Sequence, residues 1–196
     1  MSNIDVERYL EGAFVESLMA IYRYDNSFAY DDDDTLTKVI ISSSYPSKDN
    51  SFKIPQIVVI GVAYEFNTSS LSNNFACDII EATTGIRTGV QYISEVPYSV
   101  NIACIGQNDA ISKSLASSVI NYINFEAREV FEDVFKLQIQ SVRKSSGGID
   151  KHLGENAFSN SISISGMLIW QGIKSFANKP LLDNIKISLK EKISEV

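Results

Sequence analysis

The stretch Gln91–Phe135, QYISEVPYSVNIACIGQNDAISKSLASSVINYINFEAREVFEDVF, decides the fold. Tyr92, Tyr98, Val100, Ile102 and Cys104 all fall on even positions, so an extended backbone puts them on one face. Gly106 and Gln107 break that run. Asn108 is placed to cap a helix, its side-chain oxygen accepting from the first free backbone N–H groups. Beyond it Ile111, Leu115, Val119, Tyr122, Ile123, Ala127, Val130 and Val134 recur at spacings of three and four, save for the adjacent Tyr122–Ile123 pair. This is an apolar stripe down one side of a single helix of about 27 residues, roughly 40 Å long. A strand feeding such a rod through a short break predicts a helix laid across a sheet.

Upstream, Ile57–Phe66 is the clearest further strand, with Val58, Ile60, Val62 and Tyr64 on one face and Ile57, Val59 and Ala63 on the other. Apolar residues on both faces predict that it is covered on both sides, or that its second face meets another subunit. Thr37–Ser42 and Phe75–Thr83 read as shorter strands. Thr84–Gly89 reads as a turn, and Val90–Ile105 as one long strand or two divided at Pro97. Pro46 and Pro55 bracket an excursion that central sheet excludes. Asp5–Tyr22 reads as a helix whose apolar face is Val6, Leu10, Ala13, Phe14, Leu18 and Ile21.

Downstream, Lys136–Lys144 alternates again, and Ile162, Ile164, Gly166, Leu168 and Trp170 face away from Ser161, Ser163 and Ser165. These two strands flank the glycine-bearing tip Ser145–Gly154 and are expected to pair as a hairpin. Gly166 marks a bulge or the close approach of another backbone. Leu181–Ile193 closes the chain with a strand-like alternation. The sum is one α+β domain over residues 1–196, with a β-sheet, an N-terminal helix and one long central helix. Extended loops are expected at 23–36, 67–74 and 145–161.

Seventeen basic against 24 acidic residues give a net charge of −7. That argues against nucleic-acid binding, which needs clustered Lys and Arg against phosphate. It does not argue against a surface that DNA passes without sticking. Cys77 and Cys104 sit in apolar surroundings and read as reduced core thiols. Met1–Glu7 shows no basic n-region or apolar h-region, and no stretch approaches the ~18 apolar residues of a membrane span. A cytosolic protein without membrane contact is expected.

No catalytic constellation emerges. His152 is the only histidine and lies in the glycine-bearing tip, where a fixed partner and a buried pocket are not expected. One His and two separated Cys assemble no zinc set. Asp31–Asp34 lacks the alternate spacing, glycine and distal Glu of a calcium loop, and reads as a solvated loop. No phosphate loop, dinucleotide fingerprint or nucleophile elbow is present. The expectation is therefore no enzyme, no metal and no cofactor. Two contact surfaces stand out instead. Tyr24, Phe28 and Tyr30 are aromatic anchors in an irregular segment. Ile57 and Val59, with Met167, Ile169 and Trp170, belong to strands apolar on both faces, and such outer faces suit a neighbouring subunit.

The element order, with three short sequences, resembles the tail terminator (tail completion) proteins of tailed bacteriophages. The pieces are the N-terminal helix, the Tyr45-Pro46 loop, and Ile54-Pro55-Gln56-Ile57-Val58-Val59 opening the main strand. Tyr98-Ser99-Val100-Asn101-Ile102 then runs into a long helix from Asn108, and the late strand Ser165-Gly166-Met167-Leu168-Ile169-Trp170 follows. The pattern spans Val6 to Ile173; Asp31–Asp34 and the segment after Phe176 have no counterpart. The resemblance implies a mixed or antiparallel β-sheet flanked by an N-terminal helix and one long central helix, assembling as a hexameric ring that caps the last tail-tube ring, stops polymerisation and presents a surface to the head's neck. Its implied partners are further copies of the chain, the tail tube and sheath, and a head–neck connector protein. DNA would pass through the lumen without specific binding, and the protein would reside in the virion after assembly in host cytoplasm. Two other readings remain: a head-completion or adaptor protein with a largely helical core, or a small-molecule-binding α+β domain with its pocket at the Gly106–Asn108 corner.

Overall fold

The computed structural model describes residues 6–33, 35–45, 55–65, 75–80, 87–145, 147–150, 153 and 157–175, with backbone alone for 75–78, 87–94 and 170–175. The Pro46–Ile54 excursion, the 67–74 loop, Asp34, Leu181–Ile193 and, within the 145–161 loop, Ser146, Lys151, His152 and Gly154–Asn156 lie outside the described residues. The elements are α1 (Val6–Tyr22), β1 (Ile40–Ser42), β2 (Gln56–Tyr64), β3 (Phe75–Ile80), β4 (Arg87–Gly106), α2 (Asp109–Asn121), a π-helical turn (Tyr122–Glu126), α3 (Arg128–Asp133), β5 (Leu137–Lys144), β6 (Gly148–Ile149) and β7 (Phe158–Ser175). Residues group by contact into a larger unit, Ser2–Phe66 with Glu95–Ile169, and a smaller one, Asn67–Ser94 with Trp170–Val196 and Met1.

In the larger unit the strand order is β1-β2-β4-β7-β5. β1 runs parallel to β2, while β2 on β4 and β5 on β7 are antiparallel, so the sheet is mixed. β6 carries on beside β7, with Gly148 opposite Ser159. In the smaller unit β3 pairs antiparallel with the first part of β4, from Phe75 opposite Tyr92 to Ile80 opposite Arg87. The segment around Pro97 is thus one strand, not two, and the Pro97 carbonyl accepts from the Glu65 N–H at 3.1 Å.

The even-numbered face of β4 is the core, with Val96, Tyr98, Val100, Ile102 and Cys104 all buried. From α1, Phe14 meets Tyr98 edge-on at 6.3 Å between centroids and Phe131 at 4.8 Å. Asn108 caps α2 as expected, accepting from the Ile111 N–H at 2.8 Å. Ser112, Leu115, Ala116 and Val119 then bury one side of the helix. Each large apolar side chain removed from water contributes about 1.5–3 kcal/mol, so this stripe holds the helix down.

The rod is not one α-helix. The Ala127 N–H donates to the Tyr122 carbonyl at 2.7 Å, a step of five residues, and the Phe131 N–H returns to the four-residue step onto Ala127 at 2.9 Å. One extra residue in a turn rotates everything downstream by about 100°. The buried set therefore continues as Ile123, Ala127 and Phe131, and the expected core residues Val130 and Val134 stand 41% and 64% exposed. The adjacent Tyr122–Ile123 pair, the one irregularity in the stripe, marks the start of that turn.

β2 also departs from simple alternation. Ile57 lies opposite Cys104 and Val59 opposite Ile102, but the register shifts between Ile60 and Val62, after which Val62 faces Val100 and Tyr64 faces Tyr98. Gly61 sits at the shift with φ +67°, a conformation that glycine adopts without steric cost. The expected face Val58–Ile60–Val62–Tyr64 is thus divided between the two sides of the sheet. On the side away from the β4 core face, Val58, Ala103 and Ile105 are buried under Leu153 and Ala157, with Ile60 packed beside them. β2 is accordingly covered on both sides over its first half.

Candidate assembly surface

The residues picked from the sequence fall into three groups. Ile57 and Val59 are fully buried within the protomer, on the face whose β4 partners are Cys104 and Ile102. They serve its own core, and this corrects the expectation that a neighbour covers them. Met167 and Ile169 are half-buried on β7, opposite in facing to the buried Leu168, and the Ile169 N–H donates to the Lys136 carbonyl at 3.0 Å. The Trp170 side chain lies outside the described residues. Tyr24 is 88% exposed, whereas Phe28 and Tyr30 are half-buried.

The segment carrying these aromatics is built by its own polar groups. Asp25 Oδ1 accepts from the Ser27 and Phe28 N–H groups at 2.6 and 2.7 Å, a side-chain-closed turn. The Tyr30 N–H donates to the Tyr22 carbonyl at 2.9 Å, and the Lys38 N–H to Ala29 at 2.7 Å. The Arg23 guanidinium lies 6.0 Å from the Tyr30 ring centre and pairs with Asp32 at 2.6 Å. Asp31 and Asp33 turn inward on their own backbone: Asp31 accepts from the Asp33 N–H, and Asp33 from Thr35. The Thr35 hydrogen bonds hold the Asp33 carboxyl below its ordinary range.

The same segment is tied to the π-helical turn. Tyr22 and Tyr122 meet edge-to-face at 5.1 Å, Tyr22 donates to Ser118 Oγ at 3.0 Å, and the Tyr122 hydroxyl donates to Asp25 Oδ2. Burial and then the Asp25 bond push the Tyr122 hydroxyl up to about 12. Burial alone would raise Asp25, but the Tyr122 hydroxyl and the Phe28 and Ser27 N–H groups outweigh it and lower its pKa. Beside this junction a shallow cleft of about 390 Å³ is lined by Ser114, Ser117, Ser118, Asn121, Tyr122 and Glu126. Phe125 projects from the same turn, 82% exposed.

The sheet of the larger unit ends in two edges. Among the described residues no strand lies outside β1 on one side or outside β5 and β6 on the other. Exposed apolar side chains stand here: Leu36 and Ile40 by β1, and Ile149 on β6. Tyr45, just past β1, donates to the Asp150 carboxylate, and burial, then that bond, raises its pKa. These edge residues are not among those the sequence singles out, because strand order is not written in a local pattern.

At the corner after β4 the backbone packs closely around Gly106. A Cβ on Gly106 would lie 2.8 Å from the Ser112 nitrogen and 2.9 Å from Ile111. Cys104 is buried, and burial pushes its thiol well above the usual range. Among the described residues no three His, Cys, Asp or Glu side chains are grouped to hold a metal ion. No helix among them is long and apolar enough to cross a membrane.

Fold and surface together define an α+β protein built on a mixed sheet. No family model matches the chain, and no curated protein matches it. Among solved structures it is similar to the sheath/tube terminator, in the extended state, of the extracellular contractile injection system PVC, with a TM-score of 0.43 and 13% identity over 87% of this chain. The match spans 57% of that terminator's length. A superposition this loose bears on neither fold nor function.

Proposed function

We propose that this chain is a structural tail protein, a tail terminator whose copies form a ring at the head-proximal end of a phage tail. The ring ends tube polymerisation, meets tube and sheath on one side, and offers the other to the head–neck connector. The observation that carries this reading is the mixed sheet, in which, among the described residues, no strand lies outside β1 or outside β5. An outer strand is a natural site for head-to-tail contact between copies, and such contacts close into rings when the rotation between copies allows. The element order that resembles tail terminators supplies the direction. The net charge of −7 suits a lumen through which DNA slides, since each phosphate contact would slow it. A helical adaptor core fits less well, because the central layer is a sheet.

Sedimentation and negative-stain electron microscopy test the proposal. Rings at high protein concentration, and rings seated on the ends of tail tubes, are the expected result. In the virus that encodes the chain, silencing its gene is expected to give tubes of uncontrolled length. A protein that stays monomeric and ignores tube ends would sink the reading.

A further inference from the structure

The glycine-bearing tip is fixed at its base and folded back over the sheet. The Ser145 N–H donates to the Ser161 carbonyl at 2.8 Å, and Gly148 and Ile149 lie opposite Ser159 and Phe158. Gly147 is so close to the Asn160 side chain that a Cβ there would overlap it. Asn160 is buried, and its Nδ2 donates to Ser112 Oγ at 2.6 Å, so the base is tied to α2.

Beyond the base the chain turns across the second face of the sheet. The Asp150 N–H donates to the Ala157 carbonyl at 2.8 Å, and the Leu153 N–H to the Asp150 carbonyl at 3.0 Å. Leu153 and Ala157 seat on Val58, Ala103 and Ile105, with Ile60 beside them. Val58 belongs to β2, and Ala103 and Ile105 to β4. One strand further on, the chain leaves β1 at Ser42, and the Tyr45 hydroxyl donates to the Asp150 carboxylate, 105 residues away along the chain. The tip therefore crosses from β7 over β4 and β2, and a residue following β1 catches it on the far side.

The two ends of this crossing are held by different forces. The base rests on backbone pairing and on the buried Asn160–Ser112 bond, whereas the far end rests on one leucine's apolar contact and on a hydrogen bond to a carboxylate. The sheet beneath keeps its own ladder between β2 and β4 and its packing on Phe14 of α1 from the other face. A segment attached in this way opens locally at a smaller free energy than the sheet that carries it.

We propose that the tip is a latched strap: Tyr45 and Asp150 form the latch, Leu153 is the plug, and the far end lifts about the Gly147–Asn160 base while the sheet stays folded. Lifting bares Val58, Ile60, Ala103 and Ile105, an apolar strip on β2 and β4, and leaves the α1 side of the core shut.

Amide hydrogen exchange of the full chain, followed by NMR, tests the strap through the Asp150 and Leu153 N–H groups. In the parent both are expected to exchange roughly 100-fold faster than the slowest amides of β2 and β4, yet slower than in an open chain, and with little dependence on added urea. Tyr45→Phe keeps the ring and removes the latch hydroxyl; it is expected to speed both tip amides about tenfold and to leave the β2 and β4 amides unchanged. Leu153→Ala is expected to speed them further. Tyr9→Phe, which deletes a hydroxyl bonded to the Phe135 carbonyl, is the control and leaves the tip rates as they are. Circular dichroism reports folding, and if Tyr45→Phe does not fold, the rates and urea dependence of the parent decide. Tip amides that exchange at the rate of the strands, or at that of an open chain, overturn the strap. So does a folded Tyr45→Phe protein in which the tip is no faster, or in which tip and strands quicken alike.

Discussion

Replacing Phe131 and Val130 separately by alanine reads out the π-helical turn in solution. A continuous α-helix would bury Val130 and Val134; the extra residue at Tyr122–Glu126 instead buries Phe131 completely and leaves Val130 41% exposed. Phe131 packs on Phe14 at 4.8 Å and lies 6.4 Å from Phe135, so its loss removes ring contacts worth about 0.5–1.5 kcal/mol beyond the area term. Phe→Ala in a closed core costs about 3–5 kcal/mol, a large share of the ~5–15 kcal/mol that holds a domain together. Val130→Ala on a half-open face should cost about 0.5 kcal/mol. Urea unfolding followed by circular dichroism gives both numbers. A Val130→Ala cost above about 2 kcal/mol, with Phe131→Ala nearly neutral, would mean that the helix is regular and the register here is wrong.

Gly61→Ala should destabilise by about 1 kcal/mol through φ alone, since the new methyl meets only Asn101 Nδ2, at 3.8 Å; a neutral result in the same urea titration would remove the bulge. Gly166→Ala should cost about 3 kcal/mol or leave no folded protein, because its Cβ would sit 2.1 Å from the Gln138 carbonyl oxygen and crowd Tyr98. Asn108→Ala should lose about 1 kcal/mol of helix cap, while Asn108→Asp keeps it. Asp25, its pKa lowered in the folded state, lends stability that is present above its unfolded pKa of roughly 4 and fades as pH falls through the folded value. Tyr122→Phe should bring the Asp25 carboxyl closer to its ordinary titration by NMR and flatten that acid limb; an unchanged titration would show that the Tyr122 bond does not hold it.

The residues legible in advance are those whose neighbours along the chain decide their fate. The even-numbered face of β4 from Tyr98 to Cys104, the Asn108 cap, the α1 stripe from Val6 to Leu18 and the β7 alternation of Ile162, Ile164 and Leu168 against serines all follow from local pattern, whereas α1 ends by burying Tyr22 and leaving the expected Ile21 half-buried. Gly166 was legible too, since a glycine inside a strand signals a close backbone. What local pattern misses are single-residue insertions. The π-helical turn and the Gly61 bulge each add one residue, and each moves a run of side chains to another face: Val130 and Val134 out of the core, Val62 and Tyr64 across the sheet.

By itself, then, the sequence determined the α+β class, the helix starts and the principal buried faces, because these arise from period, capping and turn chemistry acting over a few residues. Only the tertiary structure decided that β1 and β5 are the outer strands among the described residues, that Ile57 and Val59 are sealed inside the protomer, and that the Tyr45 hydroxyl meets the Asp150 carboxylate. Strand order is fixed by which apolar faces close on one another across long stretches of chain. No local run of residues encodes that choice.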